Sequence, residues 1–72
     1  MKENTLYNVA KQYIEIIEAI EKTRNKEILM DYEEQRVILH NRLLALFKRE
    51  GIPFKDREHV TRIAYAIAGE FI

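Results

Sequence analysis

The sequence predicts an all-α protein: an antiparallel helical hairpin and a shorter third helix, assembling as a dimeric helical bundle. Three observations carry that expectation. Apolar residues recur at spacings of three and four along three segments, which places them on one face of a helix. Only two glycines and one proline interrupt the 72 residues, and Gly51 and Pro53 mark a single strong boundary. A composition that is 47% hydrophobic and 33% charged excludes a disordered tail and describes a chain that folds as one small domain over residues 1–72.

The first helix runs from Thr5 to about Thr23. Its residues Leu6, Val9, Ala10, Tyr13, Ile16, Ile17 and Ile20 form a stripe about 120° wide, with Lys11, Glu15, Glu18 and Lys22 opposite. Asn4 or Thr5 caps its start, and Lys22, Arg24 and Lys26 gather where the helix dipole favours positive charge. Neither Gly nor Pro lies between Thr23 and Asp31. The expected break is therefore Asn25 in a left-handed conformation, with a continuous helix as the alternative.

The second helix is expected from about Lys26 to Glu50. Its end is clearly written: Gly51 suits the left-handed position after the last turn, Ile52 folds back on Phe47, and Pro53 cannot continue the helix. Asp31 and Glu34 also match a capping box, which leaves a later start near Asp31 open. Asp56 caps the third helix, whose positions Val60, Ile63, Ala64, Ile67, Ala68 and Phe71 repeat the three-and-four rule toward the C-terminus. Ala64 and Ala68 permit close approach of a neighbouring backbone.

The expectation of a dimer rests on size and coverage. A core this small rarely holds a domain by itself without disulfides, metal or partner subunits. The third helix is also too short to cover both longer ones. Helix 2 spreads its apolar residues over about half its circumference, with Ile28, Tyr32, Leu39, Leu43 and Leu46 on one side and Val37 and Leu44 on the other, flanking Phe47. One seam serves the hairpin, and the second takes helix 3 or a second copy, most simply across a two-fold axis. The interface residues so predicted are Leu6, Tyr13, Ile17, Tyr32, Arg36, Leu39, His40 and Leu43.

Within that set Arg36 and His40, with Glu33 one turn back, are ionisable groups on a largely apolar half of the helix. They read as a polar network fixing register, or as a pH-responsive contact. The simpler reading lays the Arg36 stem along apolar surface with its guanidinium in water near Tyr32, and leaves His40 at the boundary. Tyr7 and Ile14 beside the stripe of helix 1, and Ile38 and Ala45 on the polar side of helix 2, form a partner surface only if they prove contiguous.

Charge and chemistry narrow the function. Twelve basic and twelve acidic side chains cancel, so no long-range field draws the chain to nucleic acid or anionic lipid. Locally, residues 15–34 carry an acidic surplus and residues 42–62 a basic one. Lys48, Arg49, Lys55, Arg57 and Arg62 are the residues a DNA-associated regulator would use in a helix-turn-helix reading. Against it stand Pro53 and Phe54 in the turn, and Asp56 and Glu58 where phosphate would lie. The chain has no cysteine, no serine and no glycine-rich phosphate loop, which removes the usual nucleophiles and nucleotide cradles. His40 and His59 lack ligand spacing: Val37 and Asp56 stand three residues before them where a di-iron bundle needs Glu. No signal-peptide core or membrane span is present, and the lack of cysteine points to the cytoplasm. The functional expectation is a non-enzymatic, cofactor-free, homodimeric protein-interaction or regulatory module with an unknown protein partner.

Overall fold

The computed structural model describes residues 5–69 as three helices: α1 (Thr5–Lys22), α2 (Lys26–Glu50) and α3 (Arg57–Gly69). The expected cap at Asn4, the core position Phe71 and the run of the third helix beyond Gly69 lie outside the described residues.

Asn25 divides the hairpin, but not in the left-handed state. Its backbone is extended (φ −88°, ψ 118°), and its Oδ1 accepts the N–H groups of Glu27 at 2.9 Å and Ile28 at 3.2 Å. Asn25 therefore starts α2 rather than finishing α1. A left-handed residue would serve the free carbonyls of the first helix, whereas this geometry serves free donors of the second, where a short side-chain oxygen is most effective. Asp31 and Glu34 consequently lie inside α2, and the later start is not used.

The exit from α2 follows the sequence closely. Gly51 has φ 70°, its N–H donates to the Lys48 carbonyl at 3.4 Å, and the Ile52 N–H donates to the Phe47 carbonyl at 2.8 Å, the paired bonds of a Schellman ending. Phe54 then returns to Phe47, ring centroids 5.9 Å apart. Asp56 Oδ1 accepts the His59 N–H at 2.9 Å, while His59 Nδ1 accepts the Lys55 N–H at 3.0 Å. Two side chains thus cap the start of α3 reciprocally, with His59 in the place a capping box gives to Glu.

The helices run up, down and up, and the first lies in the middle. α2 and α3 each pack along α1 and touch one another little. This settles one of the two alternatives for the second seam of helix 2: α3 does not fill it but occupies a second seam on α1. The reason is the width of the α1 arc. Wound at about 100° per residue, its apolar positions extend from Ile16 through Val9, Tyr13 and Ala10 to Ile14 and Tyr7, about 180° in all, enough for two neighbours. Arg42 of α2 lies on the Asn8 and Gln12 edge of that arc. Tyr65 of α3 lies on the Glu18 and Glu21 edge. Ile14 faces this second edge and is buried, a core residue that the narrower stripe left out.

The enclosed core comprises Val9, Ala10, Tyr13 and Ile14 from α1, Leu39, Leu43 and Phe47 from α2, and Val60 and Ala64 from α3. Tyr13, Leu43 and Phe47 have no exposed surface. Each such side chain contributes about 1.5–3 kcal/mol relative to exposure, and they cluster around the middle of α1 and the C-terminal half of α2. Ala10 and Ala64 are likewise fully enclosed, so small residues bring α1 and α3 together as the alanine pattern of the third helix suggests.

Candidate functional site

Helix α2 presents two chemically different faces. The inner one carries the ionisable group predicted from sequence. Arg36 is buried, with only 10% of its side chain exposed; its Nε donates to Glu33 Oε2 at 3.1 Å, and its Nη2 lies 3.1 Å from the same oxygen as an ion pair. The guanidinium is therefore not left in water, as the simpler sequence reading had it. It is held one turn from its partner because α2 turns Arg36 toward the core between Tyr32 and Leu39, and a buried cation requires a counter-charge.

His40 follows on the same face. Its ring lies 6.1 Å from that of Tyr13, and its Nδ1 is buried without a hydrogen-bond partner. Burial first, then the positive charges of Arg36 and Arg57, lower its pKa below the ordinary 6.5. These surroundings favour the neutral imidazole. Tyr13 reaches past it to α3: the Thr61 hydroxyl donates to the Arg57 carbonyl at 3.0 Å, so the Tyr13 hydroxyl supplies the hydrogen in its 3.4 Å contact with Thr61 Oγ1. Tyr13 on α1 thereby links all three helices.

Of the eight predicted interface residues, Tyr13, Arg36, Leu39 and Leu43 are enclosed within a single chain, while Leu6, Ile17, Tyr32 and His40 are half-buried. The large apolar side chains most open to solvent are different ones. Those are on the outer face of α2, where Met30 is 70% exposed, Ile38 59% and Val37 46%. Met30, Val37 and the half-buried Leu44 are seven residues apart and fall on one line, and Ile38 and Ala45 form a second line about 100° round the helix. Glu27, Glu34, Asn41 and Lys48 lie between these two lines, all exposed. Ile28 is also exposed, but on the opposite flank. The sequence reading found Ile38 and Ala45 but grouped them with Tyr7 and Ile14. Those two belong to the α1 arc and are not contiguous with them. Val37 and Leu44 were already placed on a second seam of helix 2; the residue left out is Met30, seven positions before Val37 on the same line.

The basic residues are distributed around the α2–α3 turn. Lys48, Arg49, Lys55 and Arg57 are exposed, and Arg62 Nη2 donates to Glu58 at 3.1 Å on the surface of α3. Lys55, Asp56, Glu58, His59 and Arg62 line an open recess of about 280 Å³ in which acids and bases alternate. A second recess holds Asn8, Lys11, Gln12, Glu15 and Arg42. Neither surface concentrates one sign of charge. Among the described residues no group of three or more His, Asp or Glu is disposed to hold a metal ion, and no helix is long and apolar enough to cross a membrane.

Comparison with protein-family models, curated proteins and solved structures gave no match to this chain.

Proposed function

We propose that this protein is a non-catalytic, homodimeric protein-interaction module whose contact helix is α2. The observation that carries the reading is the outer face of that helix: Met30, Val37 and Ile38 stand in water on a helix whose inner face already supplies the core. Large apolar side chains gathered on one face mark a contact surface more often than scattered ones do. The recesses support a non-catalytic role, since both are open and lined by exposed charged residues rather than enclosing a substrate. The cytoplasmic location is part of the same proposal and rests on the cysteine-free composition.

The test is molar mass in solution. Light scattering on the chain at micromolar concentration is expected to give twice 8.6 kDa, and the mass should persist as salt is raised, because an apolar contact tolerates screening. A particle of 8.6 kDa throughout would refute the reading. A mobility shift with duplex DNA that disappears on adding salt would instead favour a nucleic-acid role for the basic turn.

A further inference from the structure

The geometry points to one arrangement of that dimer: two α2 helices pair antiparallel, with Val37 of each copy against Ile38 of the other at the two-fold axis. This inference rests on the proposed function and adds the partner surface and its register.

α2 spans Lys26–Glu50, so Val37 and Ile38 lie at its centre. A two-fold axis there overlaps the two copies along nearly the whole helix, about 37 Å. Three further pairs of outer positions then meet as complements, while the half-buried Leu44 falls opposite Asp31. Met30 meets Ala45 of the second copy, a large side chain opposite a small one. Glu34 meets Asn41, whose amide N–H can donate to the carboxylate. Glu27 meets Lys48, an ion pair. By symmetry every contact is made twice.

The charges also select the direction. The first third of α2 carries Glu27, Asp31, Glu33 and Glu34 against Lys26, and its last part carries Arg42, Lys48 and Arg49 against Glu50. Antiparallel pairing sets acidic half against basic half and opposes the two helix dipoles. Parallel pairing would place Glu34 on Glu34 and Lys48 on Lys48, and like charges facing each other weaken the contact. None of the groups used is needed inside the chain: Glu27, Met30, Glu34, Val37, Ile38, Asn41, Ala45 and Lys48 are all exposed, and Arg36 keeps Glu33 as its own counter-ion.

Charge reversal at Glu27 and Lys48 tests the register. At low salt, Glu27→Lys and Lys48→Glu should each weaken dimerisation about tenfold, and the double variant should recover it, because the exchanged charges again face each other. Rescue of Lys48→Glu by Glu34→Lys instead would shift the register by one heptad and overturn the arrangement. Since the chain has no cysteine, a nitroxide at Arg49→Cys reports direction independently. Antiparallel pairing predicts a label separation of about 35 Å, from 23 residues of axial offset, whereas parallel pairing predicts roughly 10–15 Å. A short distance, or a dimer indifferent to both reversals, defeats this inference while leaving a dimer in place. A wild-type mass of 8.6 kDa defeats the underlying reading itself. Thermal melts and helical circular dichroism of each variant confirm that the fold is retained.

Discussion

Helices α1 and α2 carry similar amounts of apolar surface and use it in opposite ways. On α1 the apolar positions are continuous around half the cylinder, and α2 and α3 cover them from either edge. On α2 they divide into an inner face, which meets α1, and an outer face interrupted by Glu27, Glu34, Asn41 and Lys48, on which Leu44 packs against the core while Met30, Val37 and Ile38 stay exposed. A continuous arc organises a core, while a divided one supplies a core on one side and leaves recognition chemistry on the other. The difference lies in the pattern rather than the number of apolar residues.

The sharpest way to probe the contrast is to truncate each face in turn. Phe47→Ala removes a fully enclosed ring that touches Phe54 and should cost about 3–5 kcal/mol in a denaturant titration, enough to unfold much of the population in so small a domain. A loss below about 1 kcal/mol would mean that the inner face of α2 is not the core.

The polar part of the inner face gives the next effect. Glu33→Ala leaves the buried Arg36 without its Glu33 counter-charge and should destabilise by about 1–3 kcal/mol. Arg36→Met, which removes the charge and fills the space, should be nearly neutral or stabilising. If the two variants behave alike, the guanidinium is not as enclosed as the geometry requires.

A graded effect comes from His40. Its folded pKa lies below 6.5, so the unfolded chain takes up that proton more readily. Stability is then complete above about pH 6.5 and declines as acid is added through the lowered folded value, levelling off beneath it. Melting temperatures at pH 7.5 and pH 5 should show the decline, and His40→Gln should reduce it. A wild-type profile with the opposite slope would remove His40 from the core account.

Much of the fold was legible because its punctuation is local. Gly51 followed by Ile52 and Pro53, and Asp56 three residues before His59, act through neighbouring backbone groups, so their outcome can be read from adjacent residues. Asn25 was legible as a boundary but not as a conformation, since its side chain can serve either the helix before it or the one after. The choice of central helix was harder. Ile14 lies at the edge of the α1 stripe and counts as core only once α3 is placed against it, a decision made by packing between residues some fifty positions apart. The inner face of the site suffered the same ambiguity: periodicity puts Arg36 on the apolar side of α2, but only the closeness of α1 decides that it is enclosed. The outer face was within reach, because the seven-residue spacing of Met30, Val37 and Leu44 and of Ile38 and Ala45 is present in the sequence itself.

The smallest effect on folding carries the largest consequence for assembly. Replacing Val37 and Ile38 together by Ser on the exposed face should change each chain's own stability by no more than about 0.5 kcal/mol per site. Sedimentation equilibrium on wild type and this double variant at matched concentration tests the central claim most directly. The account predicts a mass of twice 8.6 kDa for the wild type and 8.6 kDa for a variant that remains helical. A wild-type monomer, or a variant that still sediments as a dimer, would contradict it.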